Sequence, residues 1–167
     1  SLEAMKIPLL TLPEGRLKTA LPDVVDNSQN LYWPGIRDQY NFYSCQQHSG
    51  VGYVFGYEIN RARNLPGWHW ENSYPPHYTW NFMNQGEQYV GVNFLQSFDI
   101  LRSQGQMTSS VYGNDTAYSF TGWVNGYDQY FSGMSNRLKK VNAIQVNGEE
   151  GILLLKHFLF DHLDGSP

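Results

Sequence analysis

The clearest hydrophobic pattern in the chain begins at Cys45. Val51, Val54, Phe55, Ile59 and Ala62 recur at helical spacing, the signature of one apolar helix face. Ser44 stands where an N-cap belongs, and Asn64-Leu65-Pro66-Gly67 supplies a stop. Arg61 and Arg63 suit the negative end of a helix dipole. The pattern predicts a helix from Cys45 to about Asn64. Ser49, Gly50, Gly52 and Gly56 give that helix a small face. Each interior glycine costs about 1 kcal/mol relative to alanine, so close approach of another backbone is expected to compensate.

A second helix is predicted over residues 93–104. Asn93 caps it, Leu95, Phe98 and Leu101 face inward, and Gly105 ends it. Residues 138–146 alternate in part and read as a short strand. Asn147-Gly148-Glu149-Glu150 reads as a capping box that opens a third helix running to about His162. Residues 65–91 and 106–135, rich in aromatic and turn-forming residues, read as long loops. Residues 1–21, with Pro8 and Pro13 and little periodicity, read as an extended arm on a body of residues 22–167. The expected class is mainly α with long ordered loops and little strand, nominally α+β.

Composition narrows the function classes. The chain has 167 residues, 41% hydrophobic and 16% charged, a globular composition. Net charge is −4, and the one compact basic cluster, Arg137, Lys139 and Lys140, is too small for a nucleic-acid footprint. No apolar stretch is long enough to span a bilayer. With one cysteine there is no intramolecular disulfide. Such a chain fits a reducing cytosol or an exported protein that relies on its core; a secreted or periplasmic setting is preferred. His157 and His162 are five residues apart, off a common helix face, and no spacing suits a metal. No cofactor or metal is expected.

Cys45 is the residue best placed for chemistry. Unsatisfied N–H groups and the dipole favour negative charge at a helix N-terminus, the setting in which a cysteine reacts as its thiolate. The Cys45 N–H can donate to an oxyanion. Gln39, six residues upstream across a turn, can bring a side-chain amide as a second donor, completing an oxyanion hole. No histidine is a convincing base. His48 is three residues along the same helix, where side chains stack rather than meet end-on. His69 and His77 lie in the aromatic loop.

The stretch Ile36-Arg37-Asp38-Gln39 … Ser44-Cys45, followed by a long helix, resembles the active-site segment of the papain-like cysteine peptidases. Pro22 … Val25-Asp26 is similar to the start of their mature chains, without its tryptophan. Tyr89-Val90-Gly91-Val92 resembles the Gly-Gly stretch that binds substrate backbone there, with one glycine replaced. The resemblance implies the N-terminal, helical half of that fold, built on a central helix starting at Cys45. It implies peptide-bond hydrolysis with Cys45 as nucleophile and Gln39 in the oxyanion hole, and substrate contacts at Ser44, Gln46, Val90 and Gly91. The family's catalytic histidine and asparagine lie in a β-rich half that would follow residue 167. The resemblance therefore implies a missing C-terminal half, or self-association, as partner to a peptide or protein substrate. The sequence departs from the family where Gln46 replaces a tryptophan and where the cysteine of a structural disulfide is absent. Two other readings stand beside it. One is a catalytically inactive papain-like binding module. The other is a secreted carbohydrate-binding module using Trp68, Trp70, Trp80 or Trp123.

Overall fold

The computed structural model describes residues 6–13, 15–113 and 126–162. Trp123 lies outside them. The described chain is mainly helical, and its only β pairing is a single parallel bridge between Leu9 and Ala143. No described helix is long and apolar enough to cross a membrane. The chain divides into two units, Leu31–Lys139 and residues 1–30 with 140–167.

The first unit is organised around the helix that Cys45 opens. It runs without interruption through α1 (Cys45–Gln47), a π-helical stretch (His48–Phe55) and α2 (Gly56–Arg63). Asn64, in the left-handed conformation at φ 54°, ends it as the sequence predicts. The π winding was not legible. It opens the turn to i→i+5 hydrogen bonds and changes the angle per residue. Val51 and Phe55 keep their core positions, while Val54 turns out to solvent. Ala62 is also exposed, and the polar Asn60 is buried, its amide donating to the Asn72 carbonyl at 2.9 Å. The glycines are compensated by side chains rather than backbone. A β-carbon on Gly52 would sit 3.1 Å from Pro76, one on Gly56 3.3 Å from Pro34, and one on Gly50 3.5 Å from Phe94 and Phe98.

Two predicted loops hold helices. Residues 65–91 contain α3 (Pro76–Asn81), with proline in its first turn, where a missing N–H costs nothing. Residues 106–135 contain α5 (Ser109–Tyr112) and α6 (Tyr127–Met134). Between them, α4 (Phe94–Ser103) matches the predicted second helix, and the Asn93 side chain accepts from the Leu95 N–H at 2.8 Å. The core has three parts. Val51, Phe55, Tyr74 and Leu101 form one; Phe42 and Trp80, with Val92, a second; Tyr78, Met107 and Tyr112 a third.

In the second unit the N-terminal segment packs on α7 (Glu149–Asp161). Arg16 pairs with Asp161, and the Asn27 amide donates to the Leu159 carbonyl at 3.1 Å. The predicted strand at 138–146 reduces to the bridge at Ala143. Its two ends serve different units: the Leu138 N–H donates to Leu101, while Ala143 exchanges hydrogen bonds with Pro8 and Leu10. The predicted capping box does not form either. Gly148, at φ 91°, is the N-cap and has no side-chain bond, which leaves Asn147 outside the helix. Glu149 and Glu150 still place negative charge in the first turn, where the dipole favours it.

Candidate active site around Cys45

Cys45 is exposed at the first position of α1. Ser44, its N-cap, is fully buried and makes no capping bond to the helix backbone. Its hydroxyl lies 3.3 Å from His48 Nδ1, which is also 3.0 Å from the Ser44 carbonyl. Serine and histidine thus tie the helix start from beneath while the thiol faces outward. Ser44 keeps no exposed surface for a ligand.

Gln39 is half-buried in the turn before the helix. Its Nε2 donates to the Phe42 carbonyl at 2.6 Å. One of its two amide hydrogens is therefore spent bracing the turn. The turn is also held at its base, where the Arg37 N–H donates to the Tyr53 hydroxyl at 3.1 Å and its guanidinium to Ser109 at 3.0 Å. Tyr40, at φ 53°, bends the chain between Gln39 and the helix.

The segment of residues 88–94 is fastened alongside by the neighbours of Cys45. The Tyr43 N–H donates to the Gln88 carbonyl at 3.2 Å. The Gln46 side chain accepts from the Phe94 N–H at 2.9 Å. Gln47, fully buried, donates to the Val92 carbonyl at 3.1 Å and to Ser97 at 3.2 Å. The Tyr43 and Tyr89 rings meet edge to face at 5.5 Å, and both are more than half exposed. These contacts tie the segment that carries Gly91 to the residues flanking Cys45.

Residues 90–93 carry no helix or turn. The Val90 carbonyl points inward, accepting from Trp80 Nε1 at 2.9 Å, and Val92 points its carbonyl inward to Gln47. Gly91, between them, is exposed, and a β-carbon there would meet nothing within 4 Å.

No family model, curated protein or solved structure matches this chain.

The remaining candidates separate by burial. Trp80 is fully buried, so it offers no face to a sugar, whereas Trp68 and Trp70 are exposed. His69 faces Glu71 at 4.0 Å in an exposed pair, and His162 Nδ1 lies 2.6 Å from the Phe158 carbonyl. Among the described residues, no three metal-ligating side chains gather. In the second unit, two clefts beside α7 are lined in part by leucines, and neither lining includes a cysteine or histidine. The least expected arrangement is at His77, which is 2% exposed. Its ring sits edge to face with Phe42, His48 and Trp80 at 5.5–5.7 Å. Neither of its nitrogens has a hydrogen-bond partner among the described residues. Burial, reinforced by the nearby His48 and Arg37, pushes its pKa from 6.5 down to about 4. Sequence reasoning left His77 in a loop. The one local signal was Pro75-Pro76 immediately before it, a helix-opening pattern.

Proposed function

We propose that this chain is the nucleophile-bearing half of a cysteine peptidase. The reading is supported by an exposed Cys45 at the start of a long helix and an exposed Gly91 in a segment that the neighbours of Cys45 fasten by hydrogen bonds. A peptide laid along Gly91 gains main-chain hydrogen bonds, the general device by which extended peptides join an exposed edge. Its carbonyl then lies near the thiol. Attack by the thiolate forms a tetrahedral oxyanion, with the Cys45 N–H and the second Gln39 amide hydrogen as its donors. Val90 fixes the edge through its carbonyl, and Gln46 anchors the far end of the segment. A general base must take the thiol proton and, as its conjugate acid, return it to the leaving amine; water then cleaves the thioester. His48 turns its Nδ1 to Ser44, and the base is assigned to a partner half. Ile36, Tyr43 and Tyr89, all exposed near the turn and the edge, provide apolar surface for such a half to cover.

The test uses the longest natural chain that carries these residues. A peptidyl acyloxymethyl ketone is expected to label Cys45, located by mass spectrometry, and peptide hydrolysis is expected to vanish in Cys45→Ser. Gln39→Ala is expected to lower kcat by about 10²–10³ with little change in KM, the usual cost of one oxyanion donor. Hydrolysis that survives Cys45→Ser would sink the reading. Peptide binding without turnover or labelling would instead favour the inactive binding module.

A further inference from the structure

We propose that His77 is a positioning residue that holds the turn carrying Gln39 and Cys45 only while its ring is neutral, so that acid releases this turn before the rest of its unit.

The wiring runs through two residues. Phe42 packs its ring against His77, with centroids 5.7 Å apart, and its carbonyl is the acceptor that braces Gln39. Ser44, directly before Cys45, is held through its carbonyl and hydroxyl by His48, whose ring meets His77 at 5.5 Å. His77 therefore touches both supports of the site and no part of the reacting surface. Its own ring finds no acceptor, so a proton on it would be buried without a partner. An unpaired buried charge is among the costliest groups a fold can hold.

The surrounding charges act in the same direction. His48 from the π-helical stretch and Arg37 from the turn both oppose a positive charge on His77. Cys45, on α1, is exposed and faces away from the core. On α3 itself the other titratable group is Tyr78, whose hydroxyl burial holds neutral. α4, which also packs on α3, carries Asp99 and Arg102, both exposed and 3.8 Å from each other. None of these groups offers His77 a counter-charge. Burial keeps the ring neutral down to pH about 4, whereas the unfolded chain takes up the proton near 6.5. The support is thus complete above pH 6.5 and weakens as pH falls toward 4.

Amide hydrogen exchange, corrected for intrinsic rates, reads the turn directly. Between pH 7 and pH 4.5, protection across residues 39–48 is expected to fall by more than about tenfold, while α4 changes by less than about threefold. His77→Phe keeps an aromatic ring and cannot take a proton, so its turn should stay protected through the same range; His77→Leu serves if the phenylalanine is not accommodated. Histidine side-chain NMR on the parent protein is expected to show His77 neutral throughout this range wherever the turn is closed. A ring that titrates near 6.5 with the turn still protected would overturn the proposal. So would loss of protection in step with α4, or an unchanged acid response in His77→Phe. The proposal does not depend on the peptidase reading. Exchange and ring titration report the turn itself, whereas failure of that reading would show as absent hydrolysis with the acid release intact.

Discussion

Gly105→Ala is expected to unfold the Leu31–Lys139 unit at temperatures where the parent is folded. Gly105 follows α4 at φ +81°, a conformation that costs a side-chain-bearing residue about 1–2 kcal/mol. The second cost is steric and larger. A β-carbon at this position would overlap the backbone carbonyl of Gly133, in α6. Backbone cannot rotate away as a side chain does, and relief needs α6 to move from a site where even a β-carbon on Gly133 would meet Met107 at 3.4 Å. Overpacking of this kind costs about 1–3 kcal/mol or more. Together the two terms reach about 2–5 kcal/mol, a large part of the ~5–15 kcal/mol that holds a domain together. The expected thermal shift is a drop of about 10–20 °C. Gly148→Ala is the control. Gly148 shares the positive φ, at 91°, but a β-carbon there meets nothing within 4 Å, so only the conformational cost of about 1–3 kcal/mol should appear. A Gly105→Ala melting temperature within a degree or two of the parent would show that α6 gives way freely.

What was legible in the sequence followed from local chemistry. The Cys45 helix announced its start through the position of Ser44 and its end through Asn64, and α4 announced both ends through Asn93 and Gly105. The pairing of the Cys45 and Gly91 segments was visible only as a resemblance of short motifs. The hydrogen bonds that bring them together run from Tyr43, Gln46 and Gln47, ordinary residues without a motif of their own.

What was not legible depended on tertiary contacts. The π winding places Gly52 and Gly56 against Pro76 and Pro34, neighbours distant in sequence. Every residue of α3 is buried, so it has no polar face and therefore no helical period to detect. α6 hid for the opposite reason. Its recurring Tyr127, Phe131 and Met134 are exposed, and an isolated aromatic spacing among glycines reads as loop. The N-cap of α7 is Gly148 rather than Asn147, and a β-carbon on Gly151 would overlap the Gln145 carbonyl, a close approach that no cap motif encodes. His77 acquires its meaning only from the three rings around it.

Trp80→Ala is expected to cost about 3–5 kcal/mol, the range for deleting a buried aromatic ring, and to loosen the Gly91 edge beyond that general loss. Trp80 is fully buried against Phe42 and His77 and donates to the Val90 carbonyl. Its removal takes away the floor of the turn and the inward anchor of the edge in one step. Trp80→Phe separates the two effects. The ring largely refills the space, and the main deficit becomes an unpaired Val90 carbonyl, costing about 1–3 kcal/mol if it stays dry. Val90 is only half-buried, so water can reach the carbonyl and the lower end of that range is expected. The amides of Tyr43 and Phe94 report the docking directly, because each spans the gap between the Cys45 segment and residues 88–94. Their exchange should accelerate by about tenfold or more in Trp80→Ala, and by less in Trp80→Phe, relative to amides of α2. If both amides kept parental protection while global stability fell, Trp80 would be supporting the core without holding the edge. The placement of Gly91 beside Cys45 would then rest on Gln46 and Gln47, and the double variant Gln46→Ala, Gln47→Ala should release it.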